Sequence, residues 1–386
     1  MMQAVGMIAE FNPLHNGHVY AMRQARQLSK ADVVVVLMAG NYVQRGEPAV
    51  VDKWARAKAA LASGADLVVE LPTTDAVQAA DGFATGALTL LGALQVSTLA
   101  FGTEAPDLDY AALAARVAAA PPKSSLFQDH TQTYATQLNQ YYQQTAGVSL
   151  DAPNLLLGLS YAQANRQLSE PLRLLPFARQ GAAHDAAGVS AGGASASAIR
   201  SALAQGQDVT AVVPAAMQAG LIAARHQSWA DLFPLLRYRL QTADLAALRG
   251  IYTMSEGLEF RLTEQLAAAP DFHAFLHQIK SKRYTYARMR RLCLYVVLNL
   301  TAEAMADARQ HRFLHVLGFT AAGRKYLHQV KKTLPLPLIT KVSAAMLAPG
   351  GIMQWQHRCD QLIETVTQTA QNYGRVPVMR KENDAC

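Results

Sequence analysis

Two histidines near the beginning of the chain, His15 and His18, stand three residues apart and enclose a glycine, Gly17. They follow an apolar run that is broken at Asn12-Pro13, a pattern that predicts a strand, a loop and the start of a helix. A helix N-terminus offers unpaired backbone N–H groups and a partial positive charge, which together bind phosphate. Gly17 lets the backbone approach an anion closely, and the two imidazoles can donate hydrogen bonds to it. So short a motif also fits a surface turn with two solvated histidines.

A second candidate for phosphate binding is the segment Ser195-Ala-Ser-Ala-Ile-Arg200. The stretch from Ala182 to Ala198 is rich in Gly, Ala and Ser and lacks periodicity, which predicts a mobile loop. Ser195 is suited to capping a helix, so that Arg200 falls within the first two helical turns. A guanidinium in that place can bind phosphate in a bidentate manner. An ordinary capped helix with a solvated arginine is the alternative.

Continuous apolar segments predict the strands that must position these residues. Val33 to Ala39 shows no polar alternation, as expected of a parallel strand covered on both faces. Three further segments share this character: 66–71, 96–101 and 172–177. Segments of helical length lie between or beside them, at 19–29, 53–63, 76–94 and 108–119. This alternation indicates a doubly wound parallel sheet.

The carboxyl ends of such strands lie at one edge of the sheet, where ligands bind in folds of this kind. His15 and His18 follow the first predicted strand, residues 40–44 follow the second, and residues 102–104 follow a later one. We therefore expect these three loops to open on one edge and to contact a single ligand.

Composition narrows the class of protein. With 386 residues, 51% of them hydrophobic and 16% charged, the chain can bury a sizeable core in two or three domains. Its apolar runs are shorter than the roughly 18 residues that span a bilayer, and we expect no secretory signal. Three widely spaced cysteines form neither a disulfide framework nor a zinc ligand set, and a reducing cytoplasm is the expected location.

Charge is distributed unevenly along the chain. Residues 1–200 carry 13 Lys and Arg against 15 Asp and Glu, whereas residues 201–386 carry 22 against 13. Thirteen of these basic residues fall between Lys280 and Lys341, with only Glu303 and Asp307 as acids. Such a balance indicates a surface that binds a polyanion, although a basic run is also often only a solvated face.

The second half of the chain shows helical periodicity. The segments are 209–225, 229–239, 257–268, 272–279, 286–309 and 352–373. We expect a boundary near residue 205, between a domain built on the parallel sheet at 1–205 and a mainly helical basic domain at 206–386.

Longer blocks add specificity to the histidine motif. Phe11-Asn-Pro-Leu-His-Asn-Gly-His18, together with Ser195 to Arg200, resembles the H-x-G-H nucleotidyltransferase superfamily. Seven further blocks, in order, resemble the bacterial tRNA(Met) cytidine acetate ligases: residues 38–49, 51–54, 64–72, 101–104, 153–158, 256–259 and 280–285. The chain departs from that family at Phe260, where we expect Asn, and at Ala287, where a hydroxyl residue is usual.

The resemblance implies a fold, a reaction and a site. The fold is a Rossmann-like doubly wound parallel sheet of the H-x-G-H nucleotidyltransferase type, followed by a mainly helical C-terminal domain. The reaction joins acetate and ATP into acetyl-adenylate, with Mg²⁺ accompanying ATP, and then acetylates the wobble cytidine of elongator tRNA(Met) to N4-acetylcytidine. His15 and His18 are the catalytic candidates, their protonation state being open from sequence. No residue is predicted to hold a metal.

The ATP site implied by the resemblance covers one loop and several separate residues. Its members are Ile8, Ala9, Glu10, Phe11, Asn12, Pro13, Leu14, His15, Asn16, Gly17, His18, Val19, Tyr20, Ala21, Gly102, Asn154 and Arg179, to which Ser195 and Arg200 are added. Considered alone, Gly102 fits a turn at a strand end and Asn154 a helix cap. The weaker candidates for the acetate or cytidine side are Gln44, Arg45, Asp52 and Lys53.

The basic segment from Lys280 is then the expected tRNA surface. Tyr284, Tyr286 and Tyr295 could stack on bases there, although tyrosines on a helix often serve core or rim packing. Acetate and elongator tRNA(Met) are the expected partners, and no membrane association is expected.

Two other functions remain open at this stage. One is an adenylyltransferase that joins AMP to a small phosphorylated metabolite, which leaves the basic second half unexplained. The other is a non-catalytic RNA-binding protein that retains a nucleotide-binding fold, which would tolerate the loss of His15 and His18.

Overall fold

The computed structural model describes residues 2–119, 134–147, 152–180 and 194–380. Its strands are β1 (Ala4–Ala9), β2 (Val33–Ala39), β3 (Tyr42–Val43), β4 (Glu47–Pro48), β5 (Leu67–Leu71), β6 (Thr98–Thr103), β7 (Arg173–Ala178), β8 (Leu314–Phe319), β9 (Leu338–Ile339) and β10 (Val378–Met379). Its helices are α1 (Asn16–Ser29), α2 (Lys53–Ala62), α3 (Thr73–Ala76), α4 (Ala80–Ala93), α5 (Tyr110–Ala119), α6 (Tyr134–Ala146), α7 (Pro153–Asn165), α8 (Ala196–Ala204), α9 (Ala215–Ala223), α10 (Trp229–Thr242), α11 (Leu245–Arg249), α12 (Leu258–Gln265), α13 (Phe272–Ile279), α14 (Tyr286–Leu298), α15 (Ala302–Gln310), α16 (Ala321–Val330), α17 (Ala344–Leu347) and α18 (Gln354–Thr367). Of the predicted loop 182–198, residues 182–193 lie outside the described residues.

The strands of the first half form a parallel sheet. The order in the main sheet is β10-β8-β5-β2-β1-β6-β7, and β9 pairs with β8. From β1 the chain moves outward to β2 and β5, then returns to β6 and β7 on the other side of β1. The sheet is therefore doubly wound, as predicted, and its order reverses between β1 and β6, where ligands of such folds bind.

Each central strand supplies two hydrophobic cores. On β2, Val33, Val35 and Leu37 pack in the core beneath α4, α5, α7 and α16. Val34 and Val36 pack on the opposite face, in the core beneath α1, α2, α8 and α9. Because side chains alternate across a strand, burial on both faces requires the uninterrupted apolar run seen in the sequence.

The second half is mainly helical, as predicted, and it also supplies three strands to the main sheet. β8 runs antiparallel to β5, with Leu67 opposite Phe319, and β10 runs parallel to β8. The sheet thus takes strands from both sides of residue 205, and the division of the chain at that residue stays a prediction.

Two predicted helices are interrupted in the structure. The segment 76–94 contains the end of α3 and then α4, which begins at Ala80. The segment 286–309 forms α14 and α15, because Asn299 adopts the left-handed conformation, with φ of 50°, and ends α14. A residue in that conformation stops helical hydrogen bonding, and periodicity alone does not reveal it.

The hairpin β3–β4 joins the sheet to the helical half. Its Tyr42 packs in a third core with residues of α10, α13 and α14. At its tip, Gly46 lies against the α14 backbone so closely that a Cβ there would come within 2.5 Å of the Arg291 nitrogen. The hairpin therefore fixes α14 above the carboxyl end of β2.

Candidate active site

His15 and His18 are held by hydrogen bonds to the backbone at the start of α1. His15 is the N-cap residue, and its Nδ1 accepts from the Gly17 N–H at 3.1 Å. Nδ1 of His18 accepts from the His15 N–H at 3.2 Å, and the two ring centroids lie 3.8 Å apart. Since both Nδ1 atoms are acceptors, each neutral ring carries its proton on Nε2. Nε2–H is thus the donor that each imidazole can offer to a ligand.

The protonation state left open by the sequence follows from burial. Burial and, to a smaller extent, the Arg179 cation lower the pKa of His15 to about 4. Burial, His15 and Arg179 together hold the pKa of His18 well below its usual value. Both imidazoles are consequently neutral at pH 7 before a ligand binds.

The histidines line a cleft of about 740 Å³ at the carboxyl ends of the parallel strands. Gln44 lies in the β3–β4 hairpin that follows β2, Gly102 lies at the end of β6, and both line the same cleft. The expectation that three strand-end loops open together is therefore confirmed.

Most residues of the predicted ATP site contribute to this cleft. Those that line it are Ile8, Ala9, Glu10, Phe11, Asn12, His15, Asn16, Gly17, His18, Tyr20, Ala21, Gly102, Asn154, Arg179, Ser195 and Arg200. Pro13, Leu14 and Val19 do not line it: Leu14 is buried in the core beneath α1, and Val19 packs against that core. These three residues support the loop on the side that faces away from the cleft.

Arg179 directly follows β7 and lines the cleft. The side chain is exposed, and its Cγ lies so close to Gly102 that a Cβ on that glycine would be 3.0 Å from it. Within the described ranges, no carboxylate or carbonyl accepts a hydrogen bond from its guanidinium. Gly102 thus leaves room for the arginine stem, and the guanidinium is available for an anion.

Arg200 stands in α8, whose N-cap is Ser195, as predicted. Its guanidinium donates to the Asn12 carbonyl at 2.8 Å and pairs with Glu47 at 3.3 Å. Glu47 also pairs with Arg290 of α14 at 2.5 Å. Arg200 therefore joins α8 to the histidine loop and to the hairpin. A phosphate that binds this guanidinium would share its donors with the Asn12 carbonyl and the Glu47 carboxylate.

Asn154 is the second residue of α7 and does not cap it. The N-cap is Ala152, and the Asn154 amide donates to the Glu104 carboxylate at 2.6 Å. The helix-cap interpretation is wrong, and the amide instead joins α7 to the loop after β6.

The weaker candidates separate into two groups. Gln44 and Arg45 line the cleft. Asp52 instead caps α2, accepting from the Ala55 N–H at 2.9 Å, and Lys53 is fully buried away from the cleft. The Lys53 ammonium contacts Glu70 at 2.8 Å and Asp360 at 2.7 Å, so it joins the two halves of the chain.

Sequence reasoning missed Arg56, a fully buried arginine of α2. Its guanidinium donates to the carbonyls of Val51 at 3.0 Å, Glu10 at 2.7 Å and Ala39 at 2.9 Å, and also to that of Gly40. It therefore fixes the ends of β1 and β2, from which the cleft is built. The helix carries three basic residues, Lys53, Arg56 and Lys58, and nothing in the sequence singles out Arg56 among them.

The basic segment 280–341 is not one surface. Arg290 pairs with Glu47, Arg312 pairs with Asp75 at 2.8 Å, and Arg309 donates to the Tyr252 hydroxyl at 3.0 Å. Tyr284 and Tyr295 are buried, so the packing interpretation of these two tyrosines is confirmed, whereas Tyr286 is exposed. Six of the seven exposed cations fall in two separate places, and the seventh is Lys341.

One of those places is α16, which lies at the edge opposite the cleft. Its N-cap Thr320 donates to Asp66, immediately before β5, and Thr333 accepts from Gln95, which precedes β6. The four cations of this region are Arg324, Lys325, Lys331 and Lys332. The other place, around Lys282 and Arg283, leads into α14, whose Ala287 and Arg291 line the cleft.

Comparison with known proteins agrees with this geometry. Residues 2–376 match the family model of the HIGH Nucleotidyl Transferase family. The chain belongs to this family. It is 48% identical over 387 residues to a tRNA(Met) cytidine acetate ligase of Latilactobacillus sakei, covering 99% of each chain. It is 46% identical to one of Lactobacillus acidophilus, covering 98% of this chain and 100% of that protein.

Solved relatives of the family share the whole fold. The apo structure of Thermotoga maritima TmcAL superposes with a TM-score of 0.88 at 26% identity, covering 98% of this chain and 100% of that one. The same protein bound with alpha-thio ATP gives a TM-score of 0.85. The resemblance found in the sequence blocks is thereby confirmed, and so is the predicted fold class.

Proposed function

We propose that the protein activates acetate with ATP as acetyl-adenylate and transfers the acetyl group to the wobble cytidine of elongator tRNA(Met), forming N4-acetylcytidine. The observation that carries the proposal is the pair of neutral imidazoles at the N-terminus of α1, in one cleft with Arg179. The names of the relatives at 46–48% identity, and the ATP analogue bound to the T. maritima protein, support it.

The first step suits these residues. An acetate oxygen attacks the α-phosphorus of ATP, the bond to pyrophosphate breaks, and negative charge grows on the transferred and leaving groups. Positioning and electrostatic stabilisation dominate such a step. The two Nε2–H groups and the Arg179 guanidinium supply donors for that charge, and the neutral imidazoles need not lose a proton.

Mg²⁺ belongs to the substrate in this proposal. In the described ranges there is no group of three or more His, Cys, Asp or Glu side chains that could hold a metal ion. The ion would therefore arrive on the ATP phosphates, and the chain's own contribution is the donor set around them.

The second half of the chain is proposed to bind tRNA, with residues 1–205 as the ATP- and acetate-activating domain and 206–386 as the basic helical domain. Lys282, Arg283 and the cleft-lining Arg291 make α14 and its approach the surface beside the reaction centre. We place the protein in the cytoplasm, where its tRNA substrate is found. No helix of the described residues is long and apolar enough to cross a membrane.

Incubation with labelled acetate and ATP, with and without tRNA, tests the proposal. Acetate-dependent release of pyrophosphate, followed by mass analysis that finds acetylated cytidine at the wobble position, is the expected result. AMP transfer to another metabolite would favour the adenylyltransferase alternative, and the absence of both reactions would favour a non-catalytic RNA-binding protein.

A matched pair of variants connects the reaction to the cleft. His18→Ala should slow adenylate formation roughly 10²- to 10³-fold, by comparison with the loss of one oxyanion-stabilising donor, and should leave tRNA binding unchanged. His328→Ala is the control, because this exposed histidine lies on α16 at the opposite edge of the sheet. Equal adenylate formation by the two variants would contradict the role of the imidazoles.

A further inference from the structure

The cleft extends beyond the residues predicted to hold ATP. Its far wall is an apolar region that we call the aromatic chamber: Phe83, Phe101, Tyr142, Leu157 and Tyr161. These residues come from α4, β6, α6 and α7, and none belongs to the predicted ATP site. Phe101 and Tyr161 stand edge to face, with their centroids 5.7 Å apart. Apolar walls that include aromatic rings accommodate the planar ring of a base.

Glu10 lies between the histidine loop and the aromatic chamber. It directly follows β1, and its Oε1 accepts from the Gln44 N–H at 2.8 Å. Its charge reaches the chamber, because burial and Glu10 together raise the pKa of Tyr161. No donor from the described ranges reaches the other oxygen, Oε2, so this oxygen can accept a hydrogen bond from a ligand.

The other carboxylates of the cleft are less suited to that role. Glu47 is paired with both Arg200 and Arg290. Asp81 lies exposed on the rim. Glu10 is half-buried, and it is thus the carboxylate of the cleft wall that is neither exposed nor in an ion pair with a described side chain.

We propose that the aromatic chamber receives the acceptor cytosine and that Glu10 is the catalytic base of acetyl transfer. The proposal rests on the proposed function and assigns the acceptor side of the same cleft. A carboxylate is the natural acceptor for the exocyclic N4 amine of cytosine. A base that reacts at a ring substituent must be extruded from its stack into such a pocket.

The transfer step balances with the groups present. The N4 nitrogen attacks the carbonyl carbon of acetyl-adenylate, and a C–N bond forms. The bond between that carbon and the bridging phosphate oxygen breaks, and AMP leaves with the electron pair. The amine proton passes to the Glu10 carboxylate and then to solvent as AMP dissociates.

The surroundings tune this carboxylate toward a base. Burial raises the pKa of Glu10, while the Gln44 N–H and the Arg200 cation act against that rise. The charged and titratable groups that face it are Arg45 and Glu47 of the hairpin, Arg56 of α2, Tyr161 of α7, Arg200 of α8, and His15 and His18 of α1. A raised carboxyl pKa brings its basicity closer to what proton transfer near neutral pH requires.

Glu10→Gln tests the proposal by separating the two half-reactions. The variant keeps the shape and an oxygen acceptor for the Gln44 N–H but cannot take a proton. In single-turnover transfer from preformed acetyl-adenylate to tRNA, we expect a loss of roughly 10²- to 10⁴-fold. Acetate-dependent exchange of pyrophosphate into ATP should fall by a smaller factor than transfer does, because Glu10 also lines the ATP cleft but accepts a proton only in the transfer step.

The pH profile and a second variant keep the test decisive. Wild-type transfer should decline as pH falls through the raised pKa of Glu10, and Glu10→Gln should lose this decline. Glu10→Asp should retain the decline at a reduced rate, because its shorter side chain still accepts a proton. Equal loss of exchange and transfer in Glu10→Gln, or transfer at the wild-type rate, would overturn the role of Glu10.

The chamber has its own readout. Tyr161→Phe keeps the aromatic wall, so it should raise the KM for tRNA less than Tyr161→Ala does. Tyr161→Ala should raise this KM by a larger factor than it lowers the exchange rate. Equal KM values in the two variants would overturn the placement of the cytosine. If the wild-type protein acetylates no tRNA at all, the proposed function itself fails, a result distinct from either of these.

Discussion

Arg56 offers the sharpest test of how the cleft is held together. Its guanidinium is fully buried and donates to four backbone carbonyls, those of Glu10, Ala39, Gly40 and Val51. Three of these carbonyls belong to the ends of β1 and β2, where the cleft begins. We therefore change Arg56 to Lys, which keeps a positive charge, and to Met, which removes it.

The expected magnitude follows from the number of orphaned carbonyls. A buried acceptor that loses its donor costs about 1–3 kcal/mol. Lysine has three donors on one nitrogen and cannot span all four carbonyls, so Arg56→Lys should lower the free energy of unfolding by about 2–4 kcal/mol. Arg56→Met should lower it by about 4–8 kcal/mol, a large share of the roughly 5–15 kcal/mol that a typical protein has.

Urea denaturation, with the KM for ATP measured on the folded fraction, tests this reasoning. We expect Arg56→Lys to raise the KM for ATP because the Glu10 backbone is no longer fixed. Arg324→Lys is the matched control, since Arg324 is exposed on α16 and surface changes are usually within about 0.5 kcal/mol. An Arg56→Lys protein as stable as this control, with an unchanged KM, would refute the reasoning.

Three further predictions concern pH, the hairpin and tRNA. By NMR, His15 of the free protein should titrate near its lowered pKa of about 4, and His18 should titrate well below pH 6.5. Because the folded pKa of His15 lies below its unfolded value of 6.5, stability should hold above pH 6.5 and fall as pH drops from 6.5 toward 4, by about 3 kcal/mol for this residue. A titration of either ring near pH 6.5 would contradict the assigned neutral state. Gly46→Ala should destabilise the fold by about 1–3 kcal/mol and so lower the melting temperature, because Gly46 has φ of 78° and an alanine Cβ there would meet the α14 backbone. An unchanged melting curve would show that the hairpin does not fix α14. Lys282→Glu should weaken tRNA binding, measured by filter binding, whereas Lys331→Glu at the opposite edge of the sheet should not. Six phosphate contacts would give a slope of log affinity against log salt of roughly −4 to −5. Equal effects of the two substitutions would mean that tRNA binds elsewhere.

The sequence predicted the parts of this protein that depend on neighbours along the chain. The apolar runs of β1 and β2, the cap at Ser195 and the loop that holds His15 and His18 all follow from local patterns. The sequence blocks around Met38 and Lys280 were specific enough to predict the family.

The tertiary structure decided what those residues do in the cleft. The neutral state of the two histidines comes from burial and from Arg179, which lies more than 160 positions away in the chain. Arg200 is shared with Glu47, and Tyr295 is buried rather than available for stacking. None of these outcomes is visible in the sequence, because each depends on which distant groups share the same space.

β8 shows the physical reason most clearly. Its apolar run, Leu314–Phe319, carries a histidine and lies among helices, so local pattern does not single it out as a strand. Its place beside β5 is determined by backbone pairing and by His315, whose Nδ1 lies 2.6 Å from the buried Glu70. Hydrophobic periodicity along the chain shows which face of an element is buried. It therefore predicted the sheet and its loops, including the loop that carries the histidine motif. Partners across the chain are selected by pairing, burial and charge in three dimensions, and these set the chemistry of the site.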